Sequence, residues 1–171
     1  MNLEDYIRDI ADFPKPGILF KDITPLLSNH DALVGCANML AELSPKNMKI
    51  DKVIGIESRG FIIGAMIAER LGAGFVPVRK KGKLPYQVKS KDYGLEYGHD
   101  TLEIHIDAIK KGEHVLIHDD VLATGGTADA VCKLVEDLGG IVVQCNFIME
   151  LDFLNGRNRL NAPVSALVTY E

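Results

Sequence analysis

The sequence predicts an α/β fold with a central, mostly parallel, twisted sheet flanked by helices. Short β-rich apolar runs alternate with helical patterns along the chain, which is typical of parallel βαβ units with both faces of the sheet covered. The chain has 171 residues, of which 47% are hydrophobic and 25% are charged, and this is the profile of one globular domain. We therefore expect residues 1–171 to form a single domain.

The first predicted unit is a strand followed by a buried helix. DKVIGIES at 51–58 is a short apolar run rich in β-branched residues. The following RGFIIGAMIAERLG is apolar on nearly all sides and stops at Gly72, as a helix C-terminus does. GFVPV at 74–78 then predicts a second strand.

The same order returns later in the chain. HVLIHD at 114–119 predicts a strand, and IVVQCNFIM from residue 141 predicts another. Between them, apolar residues recur at helical spacing and stop at two glycines; they are Val131, Leu134, Val135 and Leu138. His114 and His118 are four residues apart, but on a strand this is not ligand spacing, so a metal site here has little support.

Two segments fall outside this alternation. We interpret residues 1–30 as a hood over one edge of the sheet, with helix signals at Leu3, Tyr6, Ile7 and Ile10. Residues 79–98 are polar and are interrupted by Gly82, Pro85, Gly94 and Gly98. We predict that this stretch is a flexible loop, either a functional lid or a disordered segment, and that TLEIHI after it is a strand.

Composition argues against several classes of protein. The formal net charge of −5 disfavours a general nucleic-acid binder. The longest apolar stretches fall short of the roughly 20 residues that span a bilayer, and MNLEDYIRDI is acidic rather than leader-like. We therefore expect a cytoplasmic protein without membrane partners. The cysteines are odd in number and widely spaced, which favours buried thiols over disulfides or a zinc site; they are Cys36, Cys132 and Cys145.

One basic segment contrasts with this acidic chain. RKKGKLPYQVKSK at 79–91 holds six Lys and Arg residues and no acid. The run fits a solvated loop, and it also fits the attraction of an anionic ligand. The run alone leaves both interpretations open.

The segment DDVLATGGTADAV follows a predicted strand directly, where open α/β sheets bind ligands. The two glycines of ATGGT allow a tight turn, and its N–H groups at a helix start would point at one anion. Asp119 and Asp120 would repel a phosphate, so we expect them to face another part of the ligand. Vicinal hydroxyls of a ribose or a hydrated Mg²⁺ would suit them. The combination predicts a ribose 5-phosphate site.

At these residues the chain resembles a known family. VLIHDDVLATGGTA resembles the phosphoribosyl pyrophosphate signature of the type I phosphoribosyltransferases, and its LATGGT ending is similar to the form found in adenine phosphoribosyltransferases. Further matches run in the same order from about residue 12 to the end: FPKPGILFKDITPLL, GIESRGFIIG, VRKKGKLP leading into YGLEYG, and VTYE. The resemblance implies the type I phosphoribosyltransferase fold and purine salvage, in which adenine and 5-phosphoribosyl 1-pyrophosphate give AMP and pyrophosphate with Mg²⁺. It also implies a homodimer without nucleic-acid partners.

The resemblance assigns binding roles by position. It assigns the binding of the 5-phosphate to Ala123, Thr124, Gly125, Gly126 and Thr127. It assigns the binding of the ribose hydroxyls to Asp119 and Asp120. Pyrophosphate falls to Ser58, Arg59, Arg79 and Lys83, the last two serving partly across a dimer interface. Adenine falls between Phe20 and Leu151, with the main chain around Leu19 and Lys21 at the ring edge. No residue is assigned directly to Mg²⁺, which would be held through the substrate.

The acid/base role falls to Glu96 in GLEYG. Its flanking glycines, Gly94 and Gly98, suit a loop that closes on bound substrate, and Tyr97 would move with it to shield the site. Without the resemblance, Glu96 is typical of any exposed acid.

Two residues depart from the usual family pattern. Lys21 stands where Arg is usual, and a backbone contact to the base would tolerate this change. His118 replaces a usual apolar residue just before the Asp pair. We expect its ring on the opposite side of the strand from Asp119, without a catalytic effect but with a hydrogen-bond partner.

Two alternatives stay open on the sequence. The base could instead be guanine, hypoxanthine or xanthine, although LFKDITP and LATGGT together look like the adenine form. The second alternative is a nucleotide-sensing regulator on the same fold that binds nucleic acid. Such regulators usually add a DNA-binding module or a basic surface, whereas this chain is acidic and has the length of one domain.

Overall fold

The computed structural model of the protein describes residues 1–94 and 99–171. Within them lie the strands β1 (Arg8–Ala11), β2 (Leu19–Asp22), β3 (Lys52–Ile56), β4 (Gly74–Lys80), β5 (Val88–Gly94), β6 (His99–His105), β7 (His114–Leu122), β8 (Ile141–Leu151) and β9 (Val164–Tyr170). The α-helices are α1 (Thr24–Ser28), α2 (His30–Glu42), α3 (Gly60–Leu71) and α4 (Gly126–Asp137). Short 3-10 helices lie at Leu3–Tyr6, Asp152–Leu154 and Gly156–Arg159.

Seven of these strands form one sheet in the order β5-β6-β4-β3-β7-β8-β9, while β1 and β2 pair separately. β4, β3, β7, β8 and β9 run parallel, whereas β6 is antiparallel to β4 and β5 is antiparallel to β6. The predicted mostly parallel α/β fold is confirmed. Because β3 and β7 are neighbours, their carboxyl ends open at the same edge of the sheet, where ligands of such folds bind.

Apolar cores lie on both faces of the sheet. Val53 packs in one core with α2 and α3, whereas its neighbour Ile54 packs in the other with α4. Leu116 and Ile117 divide between the cores in the same way, as the two-residue period of a strand requires. Full burial of such a side chain contributes about 1.5–3 kcal/mol. The strands that carry the site are therefore fixed from both sides.

The predicted strand and helix boundaries largely agree with the structure. α3 ends immediately before Gly72, and α4 ends at Asp137, just before the paired glycines. β7 and β8 run longer than predicted, to Leu122 and Leu151. The extra length carries both strands up to the edge where the candidate site lies.

The N-terminal segment is less helical than predicted. Leu3 is buried within one 3-10 turn, but Ile10 belongs to β1 and pairs with Phe20 of β2. The predicted helix is wrong at Ile10 because pairing with β2 satisfies the backbone groups there. The hood interpretation of residues 1–30 stays a prediction.

A hairpin replaces much of the predicted loop. β4 continues to Lys80, and Val88–Gly94 forms β5, which pairs antiparallel with β6. The prediction of a structureless stretch is therefore wrong for residues 88–94, whose polar composition reflects a partly exposed edge strand. Residues 95–98, which include Glu96 and Tyr97, lie outside the described residues.

All three cysteines are buried, as predicted. Cys132 and Cys145 face each other with their Sγ atoms 3.6 Å apart, and burial raises the pKa of the Cys36 thiol to about 12. Among residues 1–94 and 99–171, no three or more His, Cys, Asp or Glu side chains group as metal ligands. In the described part of the chain, no helix is long and apolar enough to cross a bilayer.

Candidate active site

A cavity of about 380 Å³ opens at the carboxyl ends of β3 and β7. Its walls combine Ser58 and Arg59, which precede α3, with the segment 119–128 at the end of β7 and the start of α4. The other lining residues are Ile56, Glu57, Lys80, Tyr93 and Leu102. The two predicted anion-binding motifs therefore meet in one site.

The turn between β7 and α4 is the predicted phosphate-binding loop. Gly125 precedes α4 in the left-handed conformation, with φ of 78°, which residues with a side chain disfavour. A Cβ atom there would lie 2.5 Å from the carbonyl oxygen of Gly156, so the loop packs backbone against backbone. α4 is 12 residues long, and the N–H groups at its start together with its dipole favour an anion.

An ion pair between a buried acid and a half-exposed arginine holds the turn that contains Gly156. Glu150, near the end of β8, is 1% exposed. Arg157 donates to both of its carboxylate oxygens, from Nε to Oε1 at 3.0 Å and from Nη2 to Oε2. Arg157 Nη1 also donates to the Val164 carbonyl at 2.7 Å. The sequence analysis did not predict this ion pair between Glu150 and Arg157, which we call the brace. The available signal was an acid near the end of an otherwise apolar strand.

The adjacent acids Asp119 and Asp120 lie at the floor of the cavity. Asp120 is 3% exposed, and its Oδ2 pairs with Arg59 Nε at 2.6 Å. Burial and the neighbouring charge of Asp120 raise the pKa of Asp119 well above its usual range. A Cβ atom on Gly60 would lie 3.0 Å from Asp119 Oδ1, so the glycine lets α3 begin against this acid. Both carboxyl groups are thus fixed beside the loop.

His118 lies beneath the acids and is fully buried. Its Nδ1 is 2.9 Å from Asn146 Oδ1 on β8, which confirms the expected hydrogen-bond partner. Burial lowers the pKa of His118 to about 4, although the hydrogen bond to Asn146 opposes this effect. The ring is therefore neutral at physiological pH.

The predicted pyrophosphate residues divide into two groups. Ser58 and Arg59 line the cavity, and the peptide bond between Glu57 and Ser58 is cis. Arg79 and Lys83 do not touch the cavity wall directly; both pair with Glu57, which does. Burial opposes ionisation of Glu57, but hydrogen bonds from Lys83, the Lys80 N–H and Arg79 lower its pKa to about 2.

A second pair connects the β5–β6 hairpin to the cavity. Tyr93 Oη donates to Asp100 Oδ2 at 3.3 Å, and the Lys80 ammonium pairs with the same oxygen. The hydrogen bond from Lys80 lowers the pKa of Asp100. Lys80 and Tyr93 both line the cavity, whereas Lys81 lies outside its lining and is exposed. Part of the basic run therefore faces the site, and part is solvated.

The predicted adenine residues lie beside the cavity rather than in its wall. Phe20 is half-buried, and the Arg59 guanidinium carbon lies 5.2 Å from the centre of its ring. The Lys21 ammonium points elsewhere, 2.7 Å from Asp9 and 3.9 Å from the centre of the Tyr170 ring. Leu19 is exposed, and Leu151 ends β8 beside Tyr170. Phe20 is thus connected to the cavity lining through the cation–π contact with Arg59.

Comparisons with known proteins agree with this geometry. Residues 22–159 match the family model described as the phosphoribosyl transferase domain. The chain is 64% identical over 171 residues to the adenine phosphoribosyltransferase of Flavobacterium johnsoniae, covering 99% of this chain and 100% of that protein.

Solved structures of adenine phosphoribosyltransferases are also similar. The crystal structure from Thermoanaerobacter pseudethanolicus has a TM-score of 0.94 and 51% identity, covering 99% of this chain and 100% of that one. The Saccharomyces cerevisiae structure, complexed with D-2,5-dideoxy-2,5-imino-altritol 1,6-bisphosphate and adenine, has a TM-score of 0.90 and 46% identity, covering 96% of each chain. The chain therefore belongs to the phosphoribosyl transferase family, within its adenine phosphoribosyltransferase members.

Proposed function

We propose that this protein salvages adenine by transferring the phosphoribosyl group of 5-phosphoribosyl 1-pyrophosphate to it, giving AMP and pyrophosphate. The observation that carries the proposal is the single cavity in which a backbone anion loop, two adjacent carboxyl groups and Arg59 meet. A ribose with phosphates at both ends matches this order of groups. The family membership and the adenine bound to the yeast relative support adenine as the acceptor base.

The 5-phosphate binds the loop 123–127 in this proposal. The backbone N–H groups and the hydroxyls of Thr124 and Thr127 donate to its oxygens. Asp119 and Asp120 accept hydrogen bonds from the ribose hydroxyls, since carboxylate oxygens cannot donate once ionised. Burial and the neighbouring charge of Asp120 disfavour ionisation of Asp119 in the free protein, and hydrogen bonds donated by the ribose hydroxyls would favour its ionised form.

The reaction displaces pyrophosphate at the anomeric carbon through a transition state with oxocarbenium character. Negative charge grows on the leaving group, so cations placed before the reaction starts lower the barrier. The cations are Arg59, Arg79 and Lys83, and Ser58 adds a neutral hydroxyl donor. Arg59 would exchange part of its contact with Asp120 for the incoming anion, because its side chain is 40% exposed while that acid is 5% exposed.

The carboxyl pair also bears on Mg²⁺. Hard carboxylate oxygens suit this ion, which keeps several waters and binds substrate phosphates alongside one or two protein carboxylates. Asp119 and Asp120 fit that role at the cavity floor, and no larger ligand cluster exists in the ranges that the structure covers. The ion would neutralise part of the pyrophosphate charge. Phosphate oxygens of the substrate and water would supply its other ligands.

Further properties accompany the proposed activity. The chain acts as a homodimer in the cytoplasm, with Arg79 and Lys83 serving partly across the dimer interface. Phe20 and Leu151 hold the two faces of adenine, and the main chain around Leu19 and Lys21 meets its edge. The protein's net charge of −5 disfavours a nucleic-acid partner.

Glu96 acts as the acid/base group toward the purine, with Tyr97 shielding the site. Replacing Glu96 by Gln should lower kcat about 100-fold, because the purine then lacks its proton acceptor. The KM for 5-phosphoribosyl 1-pyrophosphate should stay within about twofold, since the phosphate contacts are elsewhere. Steady-state kinetics with both substrates varied would check this, and equal losses in both constants would remove Glu96 from the role.

AMP formation tests the whole proposal. The protein is incubated with 5-phosphoribosyl 1-pyrophosphate and Mg²⁺, with adenine, guanine, hypoxanthine or xanthine in parallel, and the nucleotide product is separated by chromatography. Adenine should react to give AMP, and the other three purines should not. Turnover of another purine in its place would overturn the base assignment, and no turnover with any of them would overturn the activity.

A further inference from the structure

Glu57 is an acid placed where an anion should bind. It directly follows β3, its N–H donates to the Val78 carbonyl at 3.0 Å, and its side chain is 9% exposed at the cavity wall. An ionised carboxylate in a pyrophosphate site repels the substrate unless it has another task. Its contacts indicate that task.

Both oxygens of Glu57 are occupied by donors from one short segment. Oε2 accepts from the Lys80 N–H at 2.9 Å and from Arg79 Nε at 3.4 Å. Oε1 accepts from Arg79 Nη2 at 3.4 Å and from the Lys83 ammonium. Arg79 Nη1 in turn donates to the Lys83 carbonyl at 3.4 Å. One carboxylate therefore gathers two cations and the backbone between them.

A second buried acid fixes the same turn from the other side. Glu103 is 5% exposed, its Oε2 accepts from the Gly82 N–H at 2.9 Å, and its Oε1 accepts from Ser90 Oγ at 3.3 Å. Glu103 thus holds the backbone of the turn, and among its hydrogen bonds to described residues neither involves a lysine or arginine side chain. Glu57 differs because it contacts the cations themselves.

The cations remain available to a ligand. The side chains of Arg79 and Lys83 are 34% and 47% exposed, respectively, although each pairs with Glu57. A long side chain held in one place loses less rotational freedom when an anion binds than a free one does. Pre-organisation of this kind can outweigh the repulsion from a single carboxylate.

We propose that Glu57 is a positioning residue that holds Arg79 and Lys83 ready for the pyrophosphate group. The inference rests on the proposed function, which names pyrophosphate as the leaving group. The proposal predicts the direction in which pyrophosphate affinity changes when the charge of Glu57 is removed. Neutralising an acid that merely repels the substrate strengthens pyrophosphate binding, whereas neutralising an acid that positions the cations weakens it.

The test replaces Glu57 by Gln, which keeps the side-chain shape and one acceptor oxygen but removes the charge. Calorimetric titration of the whole protein with magnesium pyrophosphate should give a Kd about tenfold higher than that of the unchanged protein, as expected for one lost charge-assisted contact. The KM for 5-phosphoribosyl 1-pyrophosphate should rise by a similar factor. The KM for adenine and the inhibition constant of AMP should change less than about twofold, because neither ligand carries pyrophosphate.

Glu69→Gln is the matched control, since it removes the same charge from a side chain on α3 that is 80% exposed. It should leave the Kd for pyrophosphate unchanged. Thermal unfolding checks that the variants fold. Glu57→Asp offers a second test, because the shorter acid keeps its charge but cannot reach Lys83 and the Lys80 N–H together; it should also weaken pyrophosphate binding.

Lys83→Met separates positioning from general damage. In that background, Glu57→Gln should raise the Kd by a smaller factor than in the unchanged protein, because one of the two positioned cations is gone. The same factor in both backgrounds, or a lower Kd for Glu57→Gln alone, would overturn the proposal. Weakened pyrophosphate binding in a protein that forms no AMP would support the positioning role and overturn only the proposed function.

Discussion

The side of the cavity proposed to bind the 5-phosphate is made of backbone, whereas the side proposed to bind pyrophosphate is made of long side chains. On the first side, the backbone of Gly125 packs against that of Gly156, with no room for a Cβ atom at either residue. On the second side, Arg59 pairs with Asp120, Lys80 pairs with Asp100, and two further cations pair with Glu57. Packing fixes the first side, and opposite charges fix the second.

The difference matches what each side does in the proposed reaction. The 5-phosphate keeps the same charge throughout, so a rigid cradle of N–H groups suits it. The pyrophosphate gains charge and then leaves, so cations that exchange partners suit it. Changes on the backbone side should therefore be severe, and changes on the side-chain side should be graded.

The largest effect is expected for Gly125→Ala. The new Cβ would meet Gly156 and would sit on a left-handed backbone, so the loop must move away from the phosphate. We expect kcat/KM to fall more than about 100-fold. Gly112→Ala is the control: its φ is +85° but nothing lies near its Cβ, so it should destabilise the fold by about 1 kcal/mol without changing the kinetics. Similar kinetics for both variants would contradict a cradle fixed by packing.

Next is Arg157→Met, which removes the brace behind the loop. Glu150 would be left buried with its charge unpaired, and the free energy of unfolding should fall by about 3 kcal/mol in a urea titration. Arg8→Met breaks a pair in which Arg8 is 60% exposed, and it should cost less than about 1 kcal/mol. Equal costs would show that the brace is no stronger than a surface pair.

Asp119→Asn tests the role of the acid pair at the floor of the cavity, between the two sides. The KM for 5-phosphoribosyl 1-pyrophosphate should rise about tenfold, because one ribose hydroxyl loses a charged acceptor. Since the folded protein raises the pKa of Asp119, ionising this acid destabilises the fold as pH rises above its usual value of 3.8. The variant should therefore be more stable than the unchanged protein at neutral pH, and the gain should vanish in acid. A variant of lower stability at neutral pH, or an unchanged KM, would contradict this account.

The smallest effect is expected for Lys80→Met. Lys80 lines the cavity, but its ammonium group pairs with Asp100 and not with Glu57. Loss of this ammonium group should raise the KM for 5-phosphoribosyl 1-pyrophosphate about threefold. Lys81→Met removes the same charge from an exposed position nearby and should have no effect. If Lys81→Met raised the KM as much as Lys80→Met, both lysines would act only through long-range attraction of the substrate, and the position of Lys80 in the cavity wall would have no effect of its own.

The phosphate loop was predictable because its signals are local. The apolar strand, the acid pair, the glycines and the helix start lie within one short stretch, and each favours the same turn. Its neighbours were not predictable in this way. Glu57 meets Arg79 across 22 residues of sequence, and Gly156 packs on Gly125 only because β8 returns to the same edge of the sheet.

At β5 the local sequence pattern was misleading. The local pattern of residues 88–94 is polar and carries few strand signals, yet pairing with β6 makes it β5. The tertiary partner outweighed the local preference. Likewise, the helical spacing around Ile10 lost to pairing with Phe20.

His118 sets an acid limit on the protein's storage and handling. Folding keeps this imidazole neutral, with a pKa of about 4 against 6.5 for an ordinary histidine. Stability from this group is therefore fully present above pH 6.5 and is lost as pH falls toward 4, because the unfolded chain takes up the proton first. This difference in pKa between the folded and unfolded chain corresponds to a loss of about 3 kcal/mol in the free energy of unfolding. That is a sizeable share of a typical domain's stability. A chain with valine at position 118 should tolerate acidic buffers better, so acid tolerance can vary among such proteins without any change in their chemistry.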